Sequence, residues 1–170
     1  MFLFRLTICC FFAIIQMIEV STETMKRLDG VSSALQAKGD LEMNLRPHHL
    51  LCIQKFTGHG YNADFTAHMK SIVSELAENP KTQITVVQGC DDLCKMCPNQ
   101  VSGACTSLEK VSSMDSAVLR VCSLACGENI PWTVAAGKAR ERIFEMKEFH
   151  NICACCQWFK LCGSTEASYE

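Results

Sequence analysis

Apolar and polar positions alternate along the chain with two distinct periods. From Phe65 the apolar residues Phe65, Met69, Ile72, Val73 and Leu76 recur at helical spacing, with Asn62 placed as an N-cap and Asn79-Pro80 as the stop. That stripe predicts one helix with a buried face. Upstream, Pro47 suits the first turn of a helix running through Leu50, Leu51, Ile53 and Gln54 until Gly58 and Gly60. The β-branched run Ile84, Thr85, Val86, Val87 reads as a short strand, Gln83 to Val87, followed by Gly89 and an irregular loop to about Ser107. Asp115 is placed to cap a helix through Val118, Leu119 and Cys122 that closes at Gly127, and Pro131 to open another through Ile143, Phe144 and Met146. The pattern predicts an α+β, mostly helical, small single domain with a short strand and no internal repeat.

The N-terminal region departs from this pattern. Residues 1–20 carry one Arg followed by an apolar stretch from Leu6 to Ile18, and residues 21–42 are polar and punctuated by Gly30 and Gly39. Residues 1–42 therefore read as a hydrophobic leader plus flexible linker, and residues 43–170 as the cysteine-rich folded domain. The leader has the length of a signal peptide, is short for a membrane span, and lacks a small-x-small cleavage site before Ser21. One reading exports or anchors the protein through residues 1–20. The other, adopted here, treats the leader as poorly specified, or as an upstream reading of the start at Met43, and expects a cytoplasmic protein.

Composition narrows the function classes. The 170 residues hold 16 basic and 18 acidic side chains, a net charge of −2, and 8% aromatic residues. Nothing there supports wrapping nucleic-acid phosphate or stacking single-stranded bases, so no nucleic-acid partner is expected. A membrane partner is expected only if the leader is an anchor. Thirteen cysteines against five histidines direct attention to sulfur.

The cysteines cluster. GCDDLCKMCPNQVSGAC places Cys90, Cys94, Cys97 and Cys105 in the loop after the strand, and NICACCQWFKLC places Cys153, Cys155, Cys156 and Cys162 in the tail. Cys94-Lys-Met-Cys97 and Cys153-Ala-Cys-Cys156 have the C-x2-C spacing that lets a tight turn aim two thiolates at one metal or cluster. Buried free thiols and, in an exported protein, disulfides are the competing readings. Cys52, Cys122 and Cys126 fall in amphipathic helical stretches and read as core, while Cys9 and Cys10 belong to the leader.

Spacing leaves zinc and iron–sulfur open. One zinc needs four ligands and six thiolates exceed that, whereas Pro98 directly after Cys97 matches the Cys-Pro step that follows ferredoxin cluster ligands. Cys90-x3-Cys94-x2-Cys97 also has the spacing of radical S-adenosylmethionine enzymes, but too little chain follows it to build their barrel. A thioredoxin-type use of Cys94 and Cys97 is disfavoured by Pro98 and the extra cysteines.

Arg46-Pro47-His48-His49 is the other distinctive string. At a helix N-terminus Arg46, His48 and His49 are candidates for binding a carboxylate or phosphate, or for acid–base work; the competing reading makes one His a cap and the other core. His150, just before the tail cysteines, is a candidate hydrogen-bond donor to a ligand. His59 and His68 receive no role.

Four strings in order, LRPHHLLC at Leu45–Cys52, GHGY at Gly58–Tyr61 with Phe65 and Met69 following, DDLCKMCPN at Asp91–Asn99 and ICACCQW at Ile152–Trp158, resemble a family of small uncharacterised bacterial and archaeal proteins suspected of binding an iron–sulfur cluster. The resemblance covers Met43 to about Cys162. It implies that Cys94, Cys97, Cys105, Cys153, Cys156 and Cys162 occupy the recurring cysteine positions, with Cys90 and Cys155 as extras, and it favours iron–sulfur, as a 4Fe–4S cluster, over zinc. Cys94, Cys97, Cys156 and Cys162 are the preferred four ligands. The expected use is electron transfer with a redox protein partner, redox sensing or structural clamping. No reaction is assigned; a zinc-stapled non-catalytic interaction module and a secreted disulfide-rich protein are the alternatives.

Overall fold

A computed structural model describes residues 41–165. The leader and most of the linker, with Cys9 and Cys10, lie outside the described residues. Among the described residues no helix is long and apolar enough to cross a membrane.

The fold is a mixed α+β domain about a small sheet. Strand β1, Glu42–Leu45, leads into helix α1, His49–Gln54, and helix α2, Ala63–Glu78, before β2, Gln83–Val86. A 3₁₀ turn, Leu93–Met96, and a hairpin of β3, Gln100–Val101, and β4, Ala104–Cys105, precede helix α3, Leu108–Cys122. Strand β5, Asn129–Pro131, runs into helix α4, Trp132–Ala139, which continues as a π-helical turn, Arg140–Phe144. Short helices α5, Phe149–Cys153, and α6, Phe159–Gly163, carry the tail.

The main sheet has the order β1-β2-β5, with β1 parallel and β5 antiparallel to β2. Met43 and Leu45 on β1 and Ile84 and Val86 on β2 point inward while their neighbours point out, the period-2 alternation of a sheet covered on one face. The expected strand is therefore present, and two neighbours that the pattern did not predict pair with it. Strands β1 and β5, four and three residues long, lack the β-branched run that marks β2 and form by pairing with it.

Helix α2 forms as its sequence dictates. The Asn62 side chain accepts from the Phe65 N–H at 2.8 Å with Asn62 in extended backbone, and Phe65, Met69, Ile72 and Leu76 are buried, with Val73 half-buried. Helix α3 differs from the sequence expectation: it starts at Leu108, so Asp115 is not its cap but lies mid-helix on the buried face with Met114, Val118 and Cys122. Its end is set by Ser123 in the left-handed region, short of Gly127. Pro131 ends a strand directly before α4, and Ile143 is buried in the π turn, but Met146 is 70% exposed and takes no part in the core. Trp132 fills the centre between α4 and its neighbours.

The expected loop to Ser107 contains the hairpin. Ser102 and Gly103 both have positive φ, 51° and 82°, as the two central residues of a tight type I′ turn require. That turn sets Gln100 opposite Cys105, while the Gln100 N–H donates to the Cys97 carbonyl at 3.0 Å. The hairpin is the device that returns Cys105 toward Cys97.

Candidate metal centre

At the end of β1 the chain turns through Arg46-Pro47-His48 into α1, and two buried carboxylates clamp this corner. Asp115 on α3 accepts from Arg46 Nε at 2.9 Å and Nη2 at 2.6 Å, from the His48 backbone N–H at 3.0 Å and from His48 Nδ1 at 2.6 Å. Asp91, in the loop after β2, accepts from the Arg46 backbone N–H and from His49 Nδ1, each at 2.6 Å, and from the Cys94 N–H at 3.0 Å. Asp92 next to it accepts from the Asn44 N–H at 2.6 Å, and its carbonyl takes His68 Nε2 at 2.8 Å. The anion that Arg46 and His48 meet is thus supplied by the chain itself.

Electrostatics follows from burial and these partners. His48 is held down to about 4 by burial first and then by the charges of His49 and Arg46, against the pull of Asp115, so it is neutral near pH 7. Burial alone would raise Asp91, but the charge and hydrogen bond of His49 and the N–H donors hold it well below the usual carboxylate range. Asp115 is also lowered, burial being outweighed by His48 and Arg46. In each pair the carboxylate accepts a hydrogen bond from Nδ1, so Nε2 lies on the side of the ring away from it, the orientation in which metal-binding histidines are held.

Beside this corner lies a cavity of about 120 Å³. Its wall includes Arg46, His48 and His49 from the corner, Cys94, Cys97 and Cys105 from the loop and hairpin, and Cys153, Cys156 and Cys162 from the tail. These nine candidates line one space, although loop and tail are far apart in the chain. Cys90 and Cys155 are not on this wall; Cys155 is exposed. His150 is also off it, exposed and edge-on to Phe159 at 5.1 Å between ring centroids.

Three readings change. Cys52, expected in the core, lines the cavity from α1 and is the seventh thiol there. Cys126 is exposed rather than core, whereas Cys122 is fully buried among apolar side chains. The sequence reading gives Asp91 no role and makes Asp115 a helix cap rather than a partner of the site. An acidic residue on the apolar face of α3 was the available signal for Asp115, and adjacency to Cys94 the only one for Asp91.

All the cysteines among the described residues are free thiols. Burial raises Cys94 well above the ordinary thiol range and Cys153 to about 12, and in each case neighbouring negative charge adds to it, Asp91 for Cys94 and Cys156 for Cys153. Cys52 and Cys97 are raised by burial as well. Such thiols ionise together only if a cation joins them, which is the condition a metal site imposes. One group of three donors, His49, Asp91 and Cys94, lies within 4.8 Å and can hold a metal ion; no other trio of His, Cys, Asp or Glu among the described residues does.

Fold and site together define a small cysteine-rich α+β protein with a thiol-lined cavity able to hold a metal. The chain belongs to DUF1284, a family described as protein of unknown function, which it matches over residues 60–162. That span takes in both cysteine segments, while the Arg46-Pro47-His48-His49 corner and Cys52 precede it. No curated protein and no solved structure matches the chain.

Proposed function

We propose that the chain binds an iron–sulfur cluster in the cysteine-lined cavity and uses it for electron transfer with a redox protein partner, for redox sensing or as a structural clamp. The observation that carries this reading is the spacing of the thiols around the cavity. A tetrahedral zinc–thiolate site draws its sulfurs to about 3.8 Å of one another, from Zn–S bonds of about 2.3 Å. Among the described residues no three cysteine sulfurs lie within 4.8 Å, although seven thiols surround the same space. A ring that wide suits a larger inorganic core.

The wall supports the same reading. Phe65, Met69, Leu93, Met114 and Phe149 supply apolar surface around the thiols, the kind of shell that limits water access and tunes a cluster's potential. The donor set fits: thiolates are the ordinary cluster ligands, and the raised thiols gain their counter-charge from iron. The His49–Cys94 proximity favours zinc as the second reading, a non-catalytic module stapled by a mononuclear site.

Anaerobic purification followed by a visible spectrum and iron, sulfide and zinc analysis of one sample tests the proposal. A brown protein with matched iron and sulfide is expected. A colourless protein carrying only zinc would overturn the cluster in favour of the zinc module, because zinc has a filled d shell and does not absorb in the visible.

A further inference from the structure

Seven thiols around one cavity exceed what a single four-coordinate site takes, and their placement divides them. Cys94, Cys97 and Cys105 belong to one local unit: the Cys97 N–H donates to the Cys94 carbonyl at 3.0 Å, and the hairpin sets Cys105 opposite Gln100, whose N–H is held by Cys97. Cys153, Cys156 and Cys162 belong to another, with the Cys156 N–H donating to the Cys153 carbonyl at 2.9 Å. Cys52 lies on α1, and Lys55, the C-cap of that helix, sits over the rings of Phe144 and Phe149 and bonds the Thr165 carbonyl, tying the end of α1 that carries Cys52 to the tail.

The loop set is one donor short, and the corner supplies it. His49, Asp91 and Cys94 lie within 4.8 Å, but Asp91 is already saturated by the N–H groups of Arg46 and Cys94 and by His49 Nδ1. His49 has its Nε2 on the side of the ring away from that carboxylate, the arrangement in which metal-bound histidines are held.

We propose that the cavity contains two thiolate sites rather than one: a four-cysteine site of Cys52, Cys153, Cys156 and Cys162, and a second site of Cys94, Cys97 and Cys105 completed by His49. This rests on the metal-binding reading above and extends it. The four-cysteine site takes the cluster. Because Cys94, Cys97 and Cys105 do not all lie within 4.8 Å of one another, the loop site takes a second cluster rather than zinc. Asp91 is a positioning residue for His49.

The test is metal counting on the full chain, purified anaerobically, with iron, sulfide and zinc measured per chain for the wild type and for Cys52→Ser, Cys105→Ser, His49→Gln and Cys155→Ser. Cys52→Ser is expected to lose the cluster and keep the loop metal. Cys105→Ser and His49→Gln are expected to lose the loop metal and keep the cluster, and exposed Cys155→Ser to keep both. Complete loss of metal in both Cys52→Ser and Cys105→Ser, or full retention in either, overturns the two-site arrangement. The wild type decides independently of any variant's folding: one cluster and nothing else overturns two sites while leaving the cluster reading intact. Two zincs without iron overturn the cluster reading while leaving two sites, and a wild type without metal overturns both.

Discussion

Arg46 and Asp115, 69 positions apart in the chain, meet inside the protein at 2.6 Å with side-chain exposures of 2% and 6%. The same carboxylate takes His48 Nδ1 at 2.6 Å, so one acidic side chain on α3 holds the corner that carries both histidines to the cavity.

Removing that carboxylate strands a buried guanidinium. Asp115→Ala is expected to lower stability by about 3–5 kcal/mol, read as a lower denaturant midpoint. The double variant Arg46→Met/Asp115→Leu should cost far less, because no uncompensated charge remains. A loss under about 1 kcal/mol for Asp115→Ala would show that Arg46 finds other compensation.

Acidification should destabilise the fold in two stages. The unfolded chain protonates His48 near its ordinary 6.5 and the folded chain only near 4, so between those values the unfolded state binds more protons. Stability is then lost as pH drops, at up to about 1.4 kcal/mol per unit. Asp91 and Asp115, both lowered in the fold, contribute stability that is present above the ordinary 3.8 and is lost as pH drops through their folded values. Denaturation midpoints between pH 7 and 4 should decline, and His48→Asn should flatten the upper part of the curve. A midpoint that rises on acidification would contradict the assignment.

Position separates core from cavity among the cysteines. Cys122 has no exposed surface and packs with Met114 and Val118, so Cys122→Ala should cost about 1 kcal/mol and leave bound metal per chain unchanged. Cys126→Ser, at an exposed position, should change neither quantity. Metal analysis beside a thermal melt checks both, and metal lost from Cys122→Ala would place that thiol in the site after all.

The start of α2 borders the cavity through Phe65. A Cβ at Gly60 would lie 2.5 Å from Thr66 Oγ1 and 2.8 Å from Phe65 Cδ1, and Thr66 Oγ1 is itself bonded to the Asn62 carbonyl at 2.6 Å. Gly60→Ala should therefore cost about 1–3 kcal/mol, and Asn62→Ala about 1 kcal/mol through the lost cap. Thermal unfolding measures both; unchanged melting for Gly60→Ala would mean that Phe65 has room to move.

Local chemistry made much of this legible in one dimension. Asn62 and the Phe65–Leu76 stripe specify α2 because a cap and a 3.6-residue period act within a few turns. The Ile84 and Val86 alternation specifies β2 for the same reason. Strands β1 and β5 were not legible, since so few residues gain their bonds only from β2, and the β3–β4 hairpin hid behind Ser102, an uncommon residue for positive φ. Asp115 resembled a cap because a buried carboxylate mid-helix makes sense only once Arg46 and His48 are beside it.

By itself the sequence determined the composition of the site: two cysteine segments, a histidine corner, and helices able to present them. Spacing within a C-x2-C turn is a local property, fixed by a few backbone angles. Which thiols face one another was decided only in three dimensions. Cys52, Cys122 and Cys126 all pass for small hydrophobes on helices, yet only Cys122 is buried in the core, while Cys52 lines the cavity and Cys126 is exposed. Burial and charge pairing shift the titration of His48, Asp91 and Cys153, because both depend on neighbours that chain order does not record.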